Sequence, residues 1–226
     1  MHSMDKKTEF SKPKDLKNWA YETIKKWILN FDLESGKQVH IESIAAKLGT
    51  SRTPIREALV KLESEGLVTA IPRVGFFVTG VTAQDLNKLL ELRELLEGYA
   101  AEKSVPFFNE EDIKLLVKLQ KQAVESVEQG NFTKFLEIEV AIHSSIIEHS
   151  QNSYLLRIID SLKDLTYRER LLSVRSIENV RESLNEHKEI IEALRLRNGK
   201  LAGQSMRKHI NRVQKRILLM MGKKDV

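Results

Sequence analysis

The chain has 226 residues, 41% of them hydrophobic and 31% charged, with a formal net charge of +5 and no cysteine. That length allows one large domain or two modest ones, each with its own core. The composition excludes a disulfide framework and thiolate chemistry, and no apolar run approaches the ~20 residues needed to span a bilayer.

The opening stretch "MHSMDKKTEFSKPKD" has no apolar core of the kind a signal peptide carries, which predicts a cytoplasmic chain. Residues 1–12 read as a disordered tail or as a cloning scar around His2 and Ser3. From 13 to 80 a first domain is expected. "LKNWAYETIKKWIL" sets Leu16, Ala20, Ile24, Trp27 and Ile28 along one side of a helix. "HIESIAAKLG" does the same with Ile41, Ile44, Ala45 and Leu48 and stops at Gly49. After the short turn, "TSRTPIREALVKLESEGL" begins a third helix with Ile55, Ala58, Leu59 and Leu62 inward, Ser51 placed to cap it and Pro54 in its first turn. "LVTAIPRVGFFVTG" then reads as two strands about a Pro-Arg-Val-Gly turn, the only convincing β signal in the chain.

Helix, short turn, helix and hairpin together predict a winged helix-turn-helix, whose second helix enters the DNA major groove tip first. Arg52 and Arg56 stand four apart at the head of that helix, where the dipole is positive and cations are disfavoured. Guanine edges and phosphates would explain them. The run "LGTSRTPIREALVKLESEGLV" followed by "RVGFFV" resembles the DNA-binding domain of the GntR family of bacterial transcriptional regulators, with Ile55 where valine is usual. The resemblance implies a homodimer on double-stranded DNA with an inverted-repeat operator. It also implies helix contacts from Ser51, Arg52, Thr53 and Arg56, with Gly75 as the wing tip. The segment "SGKQVHIES" departs from the family in lacking its Pro-Gly-Glu turn.

Residues 81–226 are expected to form a second, all-α domain, an antiparallel bundle of six helices. The first, capped by Thr82 with Asp85, runs to about Lys103 and carries Leu86, Leu89, Leu90, Leu92, Leu95 and Leu96. Ser104 to Phe108 breaks it. The others end near Gln129, Ser150, Ser173, Arg197 and Met221, with Asn131, Asn152 and Ser176 at three of their starts. Polar residues interrupt three apolar stripes: Glu139 and His143 in the third helix, His187 in the fifth and His209 in the sixth. Burying four such groups without a shared partner would cost roughly 1–3 kcal/mol for each one left unsatisfied. A common metal ion removes that cost, and Glu-x-x-x-His sets two ligands on one helical face. Near the end of the third helix, His149 reads instead as a contact to the terminal carbonyls.

"FLEIEVAIHSSIIEHSQNSYL" and "EHKEIIEALRLRNGKLAGQSMRKHI" resemble the FCD sensor domain of the FadR subfamily, in its six-helix, VanR-like version. The resemblance maps a metal site onto Glu139, His143, His187 and His209, with Glu139 replacing the usual aspartate. It implies a divalent metal (zinc, nickel, manganese or iron, with zinc or nickel expected in isolated protein) whose open positions take a small organic acid. It places Arg93 near that acid; the plainer role for Arg93 is a salt bridge to Glu97. Acid binding would shift the bundle and change operator affinity. Two other classes remain open here: a metal-dependent enzyme fused to a DNA-binding module, and a constitutive DNA-binding protein with an inert sensor.

Overall fold

The computed structural model describes residues 15–222, so the tail expected over 1–12 lies outside the described residues. The chain divides between Val81 and Thr82 into two compact units.

The first unit runs α1 (Leu16–Leu29), β1 (Gln38–Val39), α2 (Ile41–Lys47), α3 (Arg52–Ser64), β2 (Val68–Ile71) and β3 (Gly75–Val78). Asp15 opens α1 by accepting from the Asn18 N–H at 2.9 Å. The helix then buries Ala20, Tyr21, Ile24 and Ile28 at helical spacing. From α3, Ile55, Ala58, Leu59 and Leu62 join the same core, closed by Ile44, Leu67, Val68, Phe76 and Val78. Between α2 and α3 the backbone reverses at Gly49, whose φ of 60° suits a residue without Cβ. There the Gly49 and Thr50 N–H groups close on the carbonyls of Ala46 and Ala45 at 3.2 and 3.0 Å, a compact helix stop. The sheet is antiparallel in the order β1-β3-β2, with Val39 opposite Phe76 and Val68 opposite Val78. The two-residue strand β1 adds to the expected hairpin, since a strand so short shows no alternation in sequence.

The second unit holds α4 (Ala83–Ser104), a 3-10 turn (Val105–Phe107), α5 (Glu110–Glu128), α6 (Phe132–Glu148), α7 (Ser153–Ser161), α8 (Lys163–Ser173), α9 (Ile177–Arg195) and α10 (Gly199–Gly222). Thr82 accepts from the Asp85 N–H at 3.0 Å, and Asn109 and Asp112 form a reciprocal capping box. Asn131, Asn152 and Ser176 cap α6, α7 and α9. A winged helix-turn-helix followed by an all-α bundle is thus the architecture, with one change in helix count. The segment expected as a single fourth helix is divided at Leu162, whose N–H closes tightly on the Ile159 carbonyl while its own carbonyl accepts from Thr166. No glycine or proline marks the break. Beyond it the helix turns Arg168, Glu169, Arg170 and Ser173 inward, a burial pattern that hydrophobic spacing does not reveal.

The crossing of α4 and α10 is set by small residues. A Cβ on Gly203 would lie 2.8 Å from the Gly98 carbonyl oxygen, and one on Gly199 would lie 2.7 Å from that of Glu102. Backbone cannot yield as a side-chain tip can. Gly203→Ala should therefore destabilise the protein by about 1–3 kcal/mol through overpacking, despite alanine's better helix propensity. Urea unfolding checks this, and a stabilised variant would contradict the close crossing.

Candidate functional site

The first unit presents Ser51, Arg52, Thr53 and Arg56 to solvent over the first turn and a half of α3. Ser51 occupies the capping position, but its hydroxyl makes no capping bond, contrary to expectation, and faces outward. Arg52 lies 3.3 Å from Glu42 with both side chains well exposed, a pairing too weak to hold the guanidinium in place. At the hairpin, the Val74 N–H closes on the Ile71 carbonyl at 3.0 Å, and Arg73 takes a φ of 63°, a turn with Pro72 and Arg73 at its centre. The tip is therefore Pro72-Arg73. Gly75, assigned the tip by resemblance, lies two residues on at the start of β3. Its φ is 135°, and a Cβ there would meet the Gln38 amide at 3.0 Å, which itself donates to the Val74 carbonyl. Gly75 thus lets Gln38 brace the wing, and exposed Arg73 carries the charge at its end.

In the second unit the structure brings together all four expected ligands. Glu139 and His143 lie one turn apart on α6, His187 on α9 and His209 on α10, and one donor atom from each falls within 4.8 Å of the others. All four are buried. The Nε2 atoms of His143 and His187 are 3.2 Å apart, close to the separation of two nitrogens each about 2.1 Å from a shared ion. Behind the rings stand two carboxylates that sequence reading did not assign to the site. His143 Nδ1 donates to Glu97 at 2.5 Å, and His209 Nδ1 donates to Glu186 at 2.7 Å. Each bond fixes the proton on Nδ1 and leaves Nε2 with its lone pair toward the cluster, the orientation metal-binding histidines require. Glu186 is held in turn by Arg216 at 2.9 and 3.0 Å. His187 has no such support: its Nδ1 is buried without a partner.

Electrostatics favour unprotonated rings. Burial, reinforced by the Arg170 charge, lowers His143 to about 4, and burial holds His187 well below the usual imidazole range. For Glu97, burial would raise the carboxyl, but Arg93 and His143 outweigh it and keep the group ionised. Glu186 is likewise held at about 2, where burial is overcome by its bonds to His209 and Arg216. Unprotonated His143 and His187, with the ionised carboxylates of Glu97 and Glu186 bordering the cluster, suit a divalent cation. Glu139, His143, His187 and His209 would hold it.

Beside this cluster lies a buried ionic network. Arg93 is buried, donating from Nε to Glu97 at 2.7 Å and pairing through Nη1 with Glu169. The expected inward arginine is inward, and so is its plainer salt bridge, but both of its partners are carboxylates of this chain. Arg170, which sequence reading passed over, is buried, and its Nε lies 3.9 Å from the Glu139 carboxylate, an ion pair without a hydrogen bond. Its sequence neighbourhood, "TYRERLL", looks like a solvated face. His149 is not part of the cluster. Its Nδ1 donates to the Ser145 carbonyl at 2.7 Å, as a terminal-carbonyl contact should, and its ring stacks on Phe108.

Comparison with known proteins gives two family matches. The family described as "Bacterial regulatory proteins, gntR family" matches residues 16–78, and the FCD domain matches residues 88–212. An uncharacterised HTH-type transcriptional regulator of Bacillus subtilis, YdhC, is 29% identical over 84% of this chain and 86% of its own. The gluconate operon transcriptional repressor of the same organism is 30% identical over 88% of this chain and 83% of its own. Among solved structures, Escherichia coli McbR/YncC superposes with a TM-score of 0.73 over 91% of this chain and 98% of that one; at 20% identity this speaks to fold alone.

Proposed function

The chain belongs to the GntR family of bacterial transcriptional regulators and carries an FCD domain, and on that premise we propose that a small organic acid, bound at a metal centre in that domain, sets its affinity for DNA. The family is one of regulators and not of enzymes, so the catalytic alternative is set aside. No helix among the described residues is long and apolar enough to cross a membrane, and we place the protein with its DNA in the cytoplasm. The observation that carries the reading is the buried convergence of Glu139, His143, His187 and His209 within 4.8 Å, on three helices. When bound there, the ion supplies a Lewis-acid position for a carboxylate oxygen. Zinc or nickel suits the three imidazoles better than manganese does.

Ser51, Arg52, Thr53 and Arg56 are the contacts we assign to the major groove, and the wing, with Gly75 at its base, to the minor groove. A homodimer would set two such helices on half-sites about one helical turn apart. Leu92, Leu95 and Tyr99, exposed at helical spacing along α4, offer an apolar face for that dimer. Likeness to gluconate operon repressors puts sugar acids among the first effectors to try.

Two titrations test the reading. With an operator fragment selected in vitro, fluorescence anisotropy should show Arg56→Ala weakening specific binding by about 1–3 kcal/mol and relaxing preference at one base position. Repeating the wild-type titration with sugar and hydroxy acids should shift the binding midpoint for at least one of them. Unchanged specific binding by a folded Arg56→Ala protein removes Arg56 from base readout.

A further inference from the structure

We propose that Glu169 is a built-in stand-in for the effector's carboxylate, resting on Arg93 until an external carboxylate displaces it and releases α8. This deepens the sensing function proposed above and rests on it.

The way α8 is docked points there. Every other helix of the second unit buries apolar side chains, whereas the buried residues of α8 are Arg168, Glu169, Arg170 and Ser173. Its attachment to the metal-site side therefore runs through charge: Glu169 on Arg93, and Arg170 near Glu139. Apolar packing cannot be exchanged for a small ion. An ion pair can, if the newcomer offers the same group. The helix is also bounded by breaks at both ends, at Leu162 and after Ser173, so it is able to shift as a unit.

The fit of Glu169 in its place is incomplete. The side chain is fully buried, one oxygen meets Arg93, and the other, Oε1, has no hydrogen-bond partner. Arg170 Nε, 3.9 Å from Glu139, is buried without a hydrogen bond as well, and Glu169 lies near enough to feel the charges of Arg170, Glu139 and Glu97. A donor that makes no hydrogen bond thus stands in the same buried region as an acceptor that makes none and is tethered to its own backbone. A free carboxylate has no such tether. It can accept from Arg93 and from Arg170 together, in the two-oxygen geometry guanidinium groups favour. Glu139 and, behind His143, Glu97 border this region, so an acid held there also reaches the candidate metal centre. On displacement Glu169 returns to water, and α8 loses its principal ion pair.

The test compares wild type with Glu169→Gln, both as isolated with their metal, in thermal-shift titrations with sodium acetate against sodium chloride at matched ionic strength. Gln keeps the volume and removes the competing charge, while Arg93 retains Glu97. Acetate should stabilise both proteins, with the half-saturating concentration lower in the variant by on the order of tenfold, since no internal competitor must first be expelled. In wild type, amide hydrogen exchange across residues 163–173 should be faster in acetate than in chloride. Equal acetate midpoints in the two proteins would overturn the role of Glu169 and leave carboxylate sensing standing. No response to acetate in either protein would count against the sensing function and this inference together. Should the variant not fold, wild-type exchange decides alone: unchanged or slower exchange across α8 in acetate overturns the proposal.

Discussion

Replacing His187 by alanine should abolish metal binding and lower the melting temperature to that of chelator-treated wild type. His187 is fully buried, it joins α9 to a cluster completed by α6 and α10, and its Nε2 lies 3.2 Å from that of His143. An ion held by three helices stabilises the folded chain by mass action, about 4 kcal/mol when its concentration is a thousandfold above its dissociation constant. The variant should lose that increment and its response to organic acids. Chelator should therefore lower the melting temperature of wild type and leave that of His187→Ala unchanged. His149→Ala is the matching control. It gives up the stack on Phe108 and the bond to the Ser145 carbonyl, so it should melt somewhat earlier, with a loss of about 1 kcal/mol, but keep its metal. A His187 variant still sensitive to chelator would mean that the four residues converge for some other reason.

Arg93→Met should destabilise the protein by about 3–5 kcal/mol, because it leaves two buried carboxylates without their cation. Glu97 and Glu169 both rest on this one guanidinium, and both are buried. For Glu169 the strain is already visible: burial raises its carboxyl to about 7 even with Arg93 beside it. Adding Glu169→Gln to Arg93→Met should recover part of the loss, since one of the stranded charges is then gone. Urea unfolding of the two variants measures both effects. A loss below about 1 kcal/mol would place the network in water, where such pairs count for little.

Apolar spacing located α1, α2, α3 and the β2–β3 hairpin, because each buries a stripe that repeats at its own period. Glu139, His143, His187 and His209 were legible for the opposite reason: each stands where such a stripe calls for an apolar side chain. Hydrophobic periodicity is silent about charges that meet across the fold. Arg93 and Glu169 are far apart in sequence, and nothing local to either names the other. The same silence hides Glu186 behind His209 and conceals the polar burial of α8, in which Leu165 is exposed while Arg170 is buried. It misleads in the other direction on α4. Leu92 and Leu95 belong by type to a core, yet lie open to solvent. Ser51 shows a subtler limit, since a residue at the capping position need not use its hydroxyl to cap. At the wing, the turn itself moved the tip from Gly75 to Arg73, a distinction of φ angles more than of composition.

The metal content of the wild-type protein tests the central claim most directly. Purified without chelator or added metal and analysed by inductively coupled plasma mass spectrometry, it should carry about one transition-metal ion per chain, with zinc or nickel foremost, as a site of three imidazoles and one carboxylate implies. A protein that is folded, binds DNA and carries less than roughly one ion in ten chains, and that takes up none when zinc or nickel is supplied at concentrations such sites ordinarily saturate, would contradict it.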